Sequence, residues 1–434
     1  MWRAGYRLLL WLAFPVVIAK LWWRGRHEPG YRHDLAGRFG WPDSARPDRP
    51  LIWVHAVSLG EMRAAEPLVR ALQKRYPGYT LLLTQMTATG RDAARQLYEG
   101  EAGILLAWLP YDYPSAARRF LRHFRPSLGV ILETEIWPHL LRECGRHGVP
   151  VLLANARLSE RSARRYQKLA PLLHEALPRF AAIGAQTTED AARLTALGAP
   201  AHRIELTGNL KFDVEAPAAA QELGRQLRER FGERRVLLAA SLREGEEELL
   251  LSALQSAGGL PGNALTVLVP RHPQRFDDVG HLLEQRGLAF VRRSSGAPIP
   301  EDCRFVLGDS LGEMAAYYAA CDCAFVGGSL LPHGGQNLIE ACAAGVPVIV
   351  GPHTWNFSQV AEDAVAVGAA LRVIDADSLV HEVRRLLGDG AACRRMGSAG
   401  LAFCSSHRGA VAKTIALCER LLPAGEASSR PTVD

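Results

Sequence analysis

Twelve short apolar runs punctuate this 434-residue chain, with amphipathic stretches between them. Six fall at 51–56 (LIWVHA), 80–83, 104–108, 128–132, 149–154 and 180–185. Six more fall at 235–240 (RVLLAA), 265–269 (LTVLV), 288–291, 304–307, 323–326 and 346–350 (VPVIV). Segments such as AAEPLVRALQKR and PSAARRFLRHF carry apolar residues at helical spacing. A strand that is apolar at every position has no face to give to water. Such strands alternating with helices therefore predict parallel sheets covered on both sides, an α/β architecture.

Residues 208–234 (GNLKFDVEAPAAAQELGRQLRERFGER) break the alternation with a charged, Pro/Ala-rich passage. About 150 residues per domain allows two or three domains, and this break suggests two doubly wound, Rossmann-like halves. The expected organisation is a membrane anchor over 1–27, a first domain over 28–212, a linker over 213–234, a second domain over 235–422 and a disordered tail over 423–434. Two such domains facing across a cleft would place ligands at the carboxyl ends of their strands. No internal repeat is evident.

The formal net charge is +6, and residues 1–50 hold nine Lys/Arg against four Asp/Glu. Most of the excess thus surrounds the segment YRLLLWLAFPVVIAKLWWRGR. Its uninterrupted apolar run, Leu8 to Ala19, is shorter than the ~20 residues of a simple transmembrane helix. Arg3, Arg7, Lys20, Arg24 and Arg26 flank it, with Trp11, Trp22 and Trp23 as interface-type aromatics. No small-residue cleavage site follows, which argues against a signal peptide. The expectation is an uncleaved anchor that spans the membrane or lies in its inner face; the alternative is a buried core helix. Eight cysteines, at 144, 303, 321, 323, 342, 393, 404 and 418, form no C-x-x-C pair or zinc-type array. They read as reduced core residues of a cytoplasmic protein.

HAVSLGE, residues 55–61, joins the first apolar run to a helical pattern. Ser58 and Glu61 have capping-box spacing, in which each side chain satisfies a backbone N–H at the helix start. The competing reading makes Glu61 a catalytic carboxylate at a strand-to-helix turn, kept ionised near neutral pH by the helix N-terminus. Both readings stand at this point.

GGSLLPHGGQNLIEACAAGVPVIVGP, 327–352, reads as strand, glycine-rich turn, helix and strand. Gly327, Gly328, Gly334 and Gly335 would permit close backbone approach, and a helix starting near Gln336-Asn337 would direct N–H groups at an anion. Glu340 lies within reach of a ribose diol, and Gly351-Pro352-His353 supplies a second turn. A purely structural turn is the alternative. Arg271, at the end of LTVLVP, offers a fork for phosphate, or is simply solvated. Glu133 and Glu135 flank Thr134 after the strand SLGVIL, as a polar cleft or as caps near Trp137-Pro138. Asn155 and Arg157 close the next strand, and Lys211 lies where the domains meet. No G-x-S-x-G hydrolase motif occurs. Asp375-Ala376-Asp377, the one D-x-D, lies late in the second half, so no divalent metal is expected.

Taken together, these motifs resemble the 3-deoxy-D-manno-octulosonic acid (Kdo) transferases of lipopolysaccharide assembly, nearly end to end. The resemblance is carried by WRGR-x-x-x-x-YR, HAVSLGE, LPYD, ETEIWP, NARLSERS, LTGNLKFD, VPRHPQRF, FVGGS, GGQN-x-x-E and GPHTWNF. It implies the two-domain GT-B fold and transfer of Kdo from CMP-Kdo to the lipid A precursor lipid IVA. The reaction would occur at the cytoplasmic face of the inner membrane, with no cofactor, metal or nucleic acid. Carried over motif by motif, Glu61 would be the general base, and Glu133 and Lys211 would stabilise the transition state. Arg271, His272, the turn Leu311-Gly312-Glu313, and Asn337, Leu338, Ile339 and Glu340 would hold CMP. The family usually has GGHN where this chain has Gly334-Gly335-Gln336-Asn337. Gln336 can donate a hydrogen bond to phosphate but carries no proton or positive charge.

In that chemistry, leaving CMP departs from an oxocarbenium-like centre while cations and a helix N-terminus stabilise its phosphate. A carboxylate takes the acceptor hydroxyl's proton as it attacks the opposite face, inverting the product. A nucleotide-sugar epimerase is a second reading on a similar scaffold, and a non-catalytic lipid-binding protein a third.

Overall fold

The computed structural model describes residues 2–213 and 217–422. The expected tail 423–434 and residues 214–216 of the expected linker lie outside the described residues. The chain divides into two compact units, one of Met1–Asp213 with Arg408–Asp434 and one of Val214–His407.

In the first unit the strands are β1 (Leu51–His55), β2 (Thr80–Gln85), β3 (Ile104–Trp108), β4 (Leu128–Leu132), β5 (Val151–Ala156), β6 (Ala182–Ala185) and β7 (Ile204–Leu206). They form one sheet in the order β3-β2-β1-β4-β5-β6-β7, and every pairing is parallel. All five residues of β1 are buried. Leu51 and Trp53 enter a core with Phe120, Phe124 and Phe180, while Ile52 and Val54 enter another with Met62, Leu68 and Leu72. The period-2 alternation thus feeds two helix layers. Trp53 donates Nε1–H to Thr84 Oγ1 at 2.7 Å. Opposite it in β4 stands Gly129, where an added Cβ would meet the indole at 2.8 Å.

The second unit repeats the plan. Its strands are β8 (Val236–Leu242), β9 (Leu265–Pro270), β10 (Phe290–Arg292), β11 (Phe305–Leu307), β12 (Cys323–Val326), β13 (Val348–Val350) and β14 (Ala370–Arg372). Their order is β10-β11-β9-β8-β12-β13-β14, again all parallel. Strand order reverses between β1 and β4 in one sheet and between β8 and β12 in the other. Ligands of open α/β sheets bind at the carboxyl ends beside such reversals.

Three expectations need correction. The apolar runs foretold six strands per half, and each sheet has seven. The additions, β7 (IEL) and β14 (ALR), are three-residue terminal strands, too short and too polar to register as runs. The passage 213–234 is not merely a linker. Its helix Ala218–Phe231 packs on the helix Met314–Ala320 so closely that a Cβ on Gly224 would meet that of Ala319 at 2.6 Å. Arg228 ties it down through Asp322 at 3.1 Å. Finally, the helix Ala410–Leu421 belongs to the first unit. Leu417 and Cys418 join the core of Leu68 and Leu72, and the Asp213 carboxylate accepts the Gly409 and Val411 N–H groups at 2.7 and 2.5 Å. A helical pattern shows its apolar face but not which sheet that face will meet.

The N-terminal helix runs from Trp2 to His27 with Pro15 inside. Residues Gly5–Arg26 are long and apolar enough to cross a membrane. Leu8, Leu9, Leu12 and Val16 are more than 60% exposed, which disfavours the core-helix alternative. Among the described residues it is held to the unit where Tyr6 Oη donates to Asp112 at 3.0 Å, Tyr113 Oη donates to the Leu10 carbonyl at 2.7 Å, and Leu21 packs with Tyr31 and Ala88. All eight cysteines are free thiols, six of them buried.

Candidate active site

Glu61 follows β1 by one turn. The helix Leu59–Arg75 starts at Ser58, whose extended backbone makes it the N-cap. Ser58 Oγ accepts the Glu61 N–H at 3.4 Å and donates to Glu61 Oε1 at 3.1 Å, while Glu61 Oε2 accepts the Val57 N–H at 2.8 Å. The Ser58 cap is therefore real, but the box is displaced: Glu61 takes the N–H of Val57, one residue before the N-cap. Burial, with the charge of Glu133 next, pushes Glu61 up to about 7 against the Val57 and Ser58 hydrogen bonds, so near neutral pH it is divided between its ionised and protonated forms. Desolvation outweighs the helix N-terminus here.

Glu133 follows β4, the strand beside β1, and donates its N–H to the Ala154 carbonyl at 3.0 Å. Its φ of +58° is left-handed, a conformation costing a non-glycine residue about 1 kcal/mol or more. Strain of this kind gathers at functional sites. Asn155, also left-handed at +52°, accepts the Leu210 N–H on Oδ1 at 3.1 Å. It thereby anchors the turn Leu210–Asp213 that carries Lys211. Burial pulls the Lys211 ammonium below its usual value, the charges of Glu133 and Glu61 oppose that, and Arg157 adds to it. Glu135 is raised, first by burial, with Trp137 opposing and Glu133 adding. Strand ends far apart in sequence thus bring Glu61, Glu133, Glu135, Lys211 and Arg157 into one electrostatic neighbourhood.

Neither glutamate of the ETEIW stretch caps the next helix. Asp112 does, accepting the His139 and Leu140 N–H groups at 3.1 and 2.8 Å. Nothing local marks Asp112 for this role, because its partners lie more than 25 residues away. His55 was also overlooked. It is fully buried at the end of β1, donates Nδ1–H to the Thr84 carbonyl at 3.0 Å, and is pushed down to about 3, so it stays neutral.

In the second unit, β12 runs into the glycine-rich turn beside the end of β8. At Gly327 a Cβ would lie 2.7 Å from the backbone of Ser241 and Leu242. Glu246, fully buried, holds this turn. Its Oε2 accepts N–H groups from Gly328 and Arg243 at 2.6 and 2.9 Å, and its Oε1 accepts that of Leu330 at 2.8 Å. Arg271 donates Nε–H to Gln336 Oε1 at 3.2 Å, which leaves the Gln336 amide N–H groups to donate elsewhere. His272 lies 3.0 Å from Arg243, and burial, then Arg243 and Arg271, lowers it.

The expected helix at Gln336-Asn337 starts later and is short, Ile339–Ala343. Asn337 opens it: Oδ1 accepts the Ile339 N–H at 3.1 Å and Nδ2 donates to Glu340 at 2.9 Å. Leu338 and Ile339 are buried, so they offer a ligand only backbone. Leu311 is 72% exposed and Gly312 is left-handed at +79°. Glu313 is engaged by Ser310 at 2.5 Å and Arg293 at 3.2 Å. Asp375 caps the helix Ala376–Gly388 in a capping box, which accounts for the D-x-D.

Residues 33–214 match the family described as 3-deoxy-D-manno-octulosonic-acid transferase (kdotransferase), and 289–402 match glycosyl transferases group 1. A 3-deoxy-D-manno-octulosonic acid transferase of Bordetella pertussis is 45% identical over 96% of this chain and 98% of its own length. One from Haemophilus influenzae is 36% identical over 97% and 99%. Among solved structures, UDP-GlcNAc 2-epimerase from Neisseria meningitidis superposes with a TM-score of 0.58 at 15% identity. It covers 85% of this chain and all of its own, a likeness of fold alone.

Proposed function

The chain belongs to the 3-deoxy-D-manno-octulosonic-acid transferases and has the GT-B fold, and from that membership we propose that it moves Kdo from CMP-Kdo to lipid IVA, inverting the anomeric centre without a metal. The observation that carries the reading is Glu61. A carboxylate raised to about 7 near a half-buried lysine is poised to accept a proton near neutral pH.

In the proposed reaction Glu61 takes the acceptor hydroxyl's proton as that oxygen bonds to the anomeric carbon. The bond from that carbon to the CMP phosphate oxygen breaks, and the electron pair leaves with CMP. Lys211 and Glu133 act on the charge that develops, the ammonium opposite the donor's negative groups. Arg271 and the Gln336 amide are the donor's phosphate ligands, with His272, the backbone of Leu311-Gly312-Glu313 and the segment Asn337, Leu338, Ile339 and Glu340 completing the CMP site. Gln336 supplies hydrogen bonds but no proton, so proton transfer rests on the first unit.

The N-terminal helix, apolar on its outer side, supports attachment to the cytoplasmic face of the inner membrane, where an acylated acceptor resides. Incubation with CMP-Kdo and lipid IVA, followed by mass analysis of the lipid, is expected to show added Kdo. CMP is expected to protect the protein from thermal unfolding and UDP is not. Equal or stronger protection by UDP would overturn CMP-Kdo as the donor.

A further inference from the structure

Against the N-terminal helix of the first unit lies a cavity of about 600 Å³ that the transfer chemistry does not use. Arg7, Trp11, Arg118, His139, Arg142 and Arg146 line it. Among the lining residues one carboxylate, Glu143, faces these four guanidinium groups, and Glu175 lies near enough to act on His139. Glu143, its side chain 2% exposed, accepts Arg118 Nε–H at 3.2 Å and Arg146 Nη1–H at 2.6 Å. Arg7 and Arg142 form no ion pair among the described residues. His139 is 7% exposed and its ring packs on Tyr6 with centroids 5.1 Å apart, yet its Nε2 is buried without a hydrogen-bond partner. Burial, then Arg142 and Arg7, lowers its pKa against the charges of Glu175 and Glu143. Surplus guanidinium groups around an unsatisfied buried ring nitrogen describe a site for an anion with several oxygens, and a guanidinium fork matches phosphate.

The other wall of the cavity identifies the anion's source. Leu8 and Trp11 project from the apolar helix and are 61% and 54% exposed. A free phosphate gains nothing from such neighbours, whereas a phosphate attached to acyl chains does. We propose that this cavity seats the phosphate headgroup of an anionic membrane phospholipid, fixing the depth and orientation of the enzyme on the bilayer. The inference rests on the anchor reading above.

The test uses the full chain and flotation with two kinds of vesicle, phosphatidylcholine alone and phosphatidylcholine with phosphatidylglycerol. Binding to the neutral vesicles tests the anchor; the gain from phosphatidylglycerol tests the cavity. Arg7→Ala/Arg142→Ala is expected to reduce that gain about 30-fold, near 5-fold per cation. The control pair Lys74→Ala/Arg161→Ala, equal in charge, exposed and outside the cavity lining, is expected to keep it within about twofold, since exposed charges are screened. Arg7→Lys/Arg142→Lys should retain most of the gain, which separates lost charge from lost folding. Equal losses in the two alanine pairs, or no loss in the first, overturn the proposal. So does an unchanged gain with a raised acceptor KM, which would assign the cavity to a phosphate on the acceptor. Protection of the detergent-solubilised chain by inorganic phosphate, equal to that by short-chain phosphatidylglycerol, would make it a free-phosphate site instead.

Discussion

Ser58 and Glu61 hold each other through two reciprocal hydrogen bonds, at 3.1 and 3.4 Å, while the second Glu61 oxygen takes the Val57 N–H at 2.8 Å. The same carboxylate therefore orders the helix start and remains able to accept a proton. A carboxylate offers about four lone-pair directions, and two are occupied here. Capping and the proposed catalysis are compatible at this position, because the cap would fix the carboxylate a base needs fixed.

Glu61→Gln is the variant that separates the two contributions. Glutamine keeps one oxygen for the Val57 N–H and is accepted in capping boxes, so at pH 5 the loss of stability should be at most ~1 kcal/mol. It cannot take the acceptor's proton, so transfer should fall roughly 100-fold or more. CMP protection should be unchanged. Near-normal transfer by this variant would reduce Glu61 to a cap.

The raised pKa of Glu61 makes two pH-dependent forecasts. Transfer should rise as pH passes through about 7, where the base becomes ionised. Stability should move the other way. The folded value lies above the usual 4.5, so the contribution is fully present below about pH 4.5 and is lost as pH rises through about 7. A shift of this size corresponds to roughly 3 kcal/mol at most. Between pH 5 and 8 the melting temperature of Glu61→Gln should therefore gain on that of the parent, and a constant difference would contradict the burial argument. Asp112, also pushed up to about 7 by burial, adds the same trend to both proteins.

Lys211→Met keeps the aliphatic stem in its half-buried place and removes the charge. Turnover should drop by about tenfold or more, while CMP binding, measured by titration, changes little. Normal turnover would exclude Lys211 from the chemistry.

Glu246→Gln should loosen the glycine-rich turn. Glutamine offers one accepting oxygen to donors that now share two, and its amide would confront the remaining N–H groups. The expected cost is about 1–3 kcal/mol. CMP affinity should also fall by tenfold or so, because the same turn carries the Gln336 segment. An unaltered CMP titration curve would show that the turn holds itself.

Removing residues 1–24 should release the protein to the soluble fraction. It also removes the Tyr6 bond to Asp112, the Leu10 carbonyl that Tyr113 uses and the buried Leu21, so the melting point should fall by several degrees. Asp112 keeps its two N–H partners at the helix Pro138–Arg146, and both units should remain folded. Full sedimentation of the truncated chain with membranes would locate the attachment elsewhere.

Much of the candidate site was legible because its carriers are local. Glu61, Glu133 and Arg271 each sit just beyond an apolar run, and each parallel sheet collects its own such positions along one edge. Helix starts were harder to place: the stretch after Gly335 reads as helix from Gln336, but it begins at Ile339 because Asn337 first makes a turn of its own. Asp112 went unnoticed as a cap because its partners come from another loop.

What the sequence alone determined about this protein is what short-range periodicity encodes: strands buried on both faces, the helices between them, a division into two sheets and an apolar helix at the start. Tertiary structure decided the rest. The helix Ala410–Leu421 returned to the first unit because the face bearing Leu417 and Cys418 found its complement against Leu68 and Leu72, nearly 350 residues earlier. Strands as short as β7 and β14 exist because a neighbouring strand supplies their hydrogen bonds. Glu61 is raised toward neutrality first because the fold removes much of its water, and next because β4 brings the charge of Glu133 near it. Periodicity is a property of neighbours in the chain, whereas desolvation and charge depend on neighbours in space.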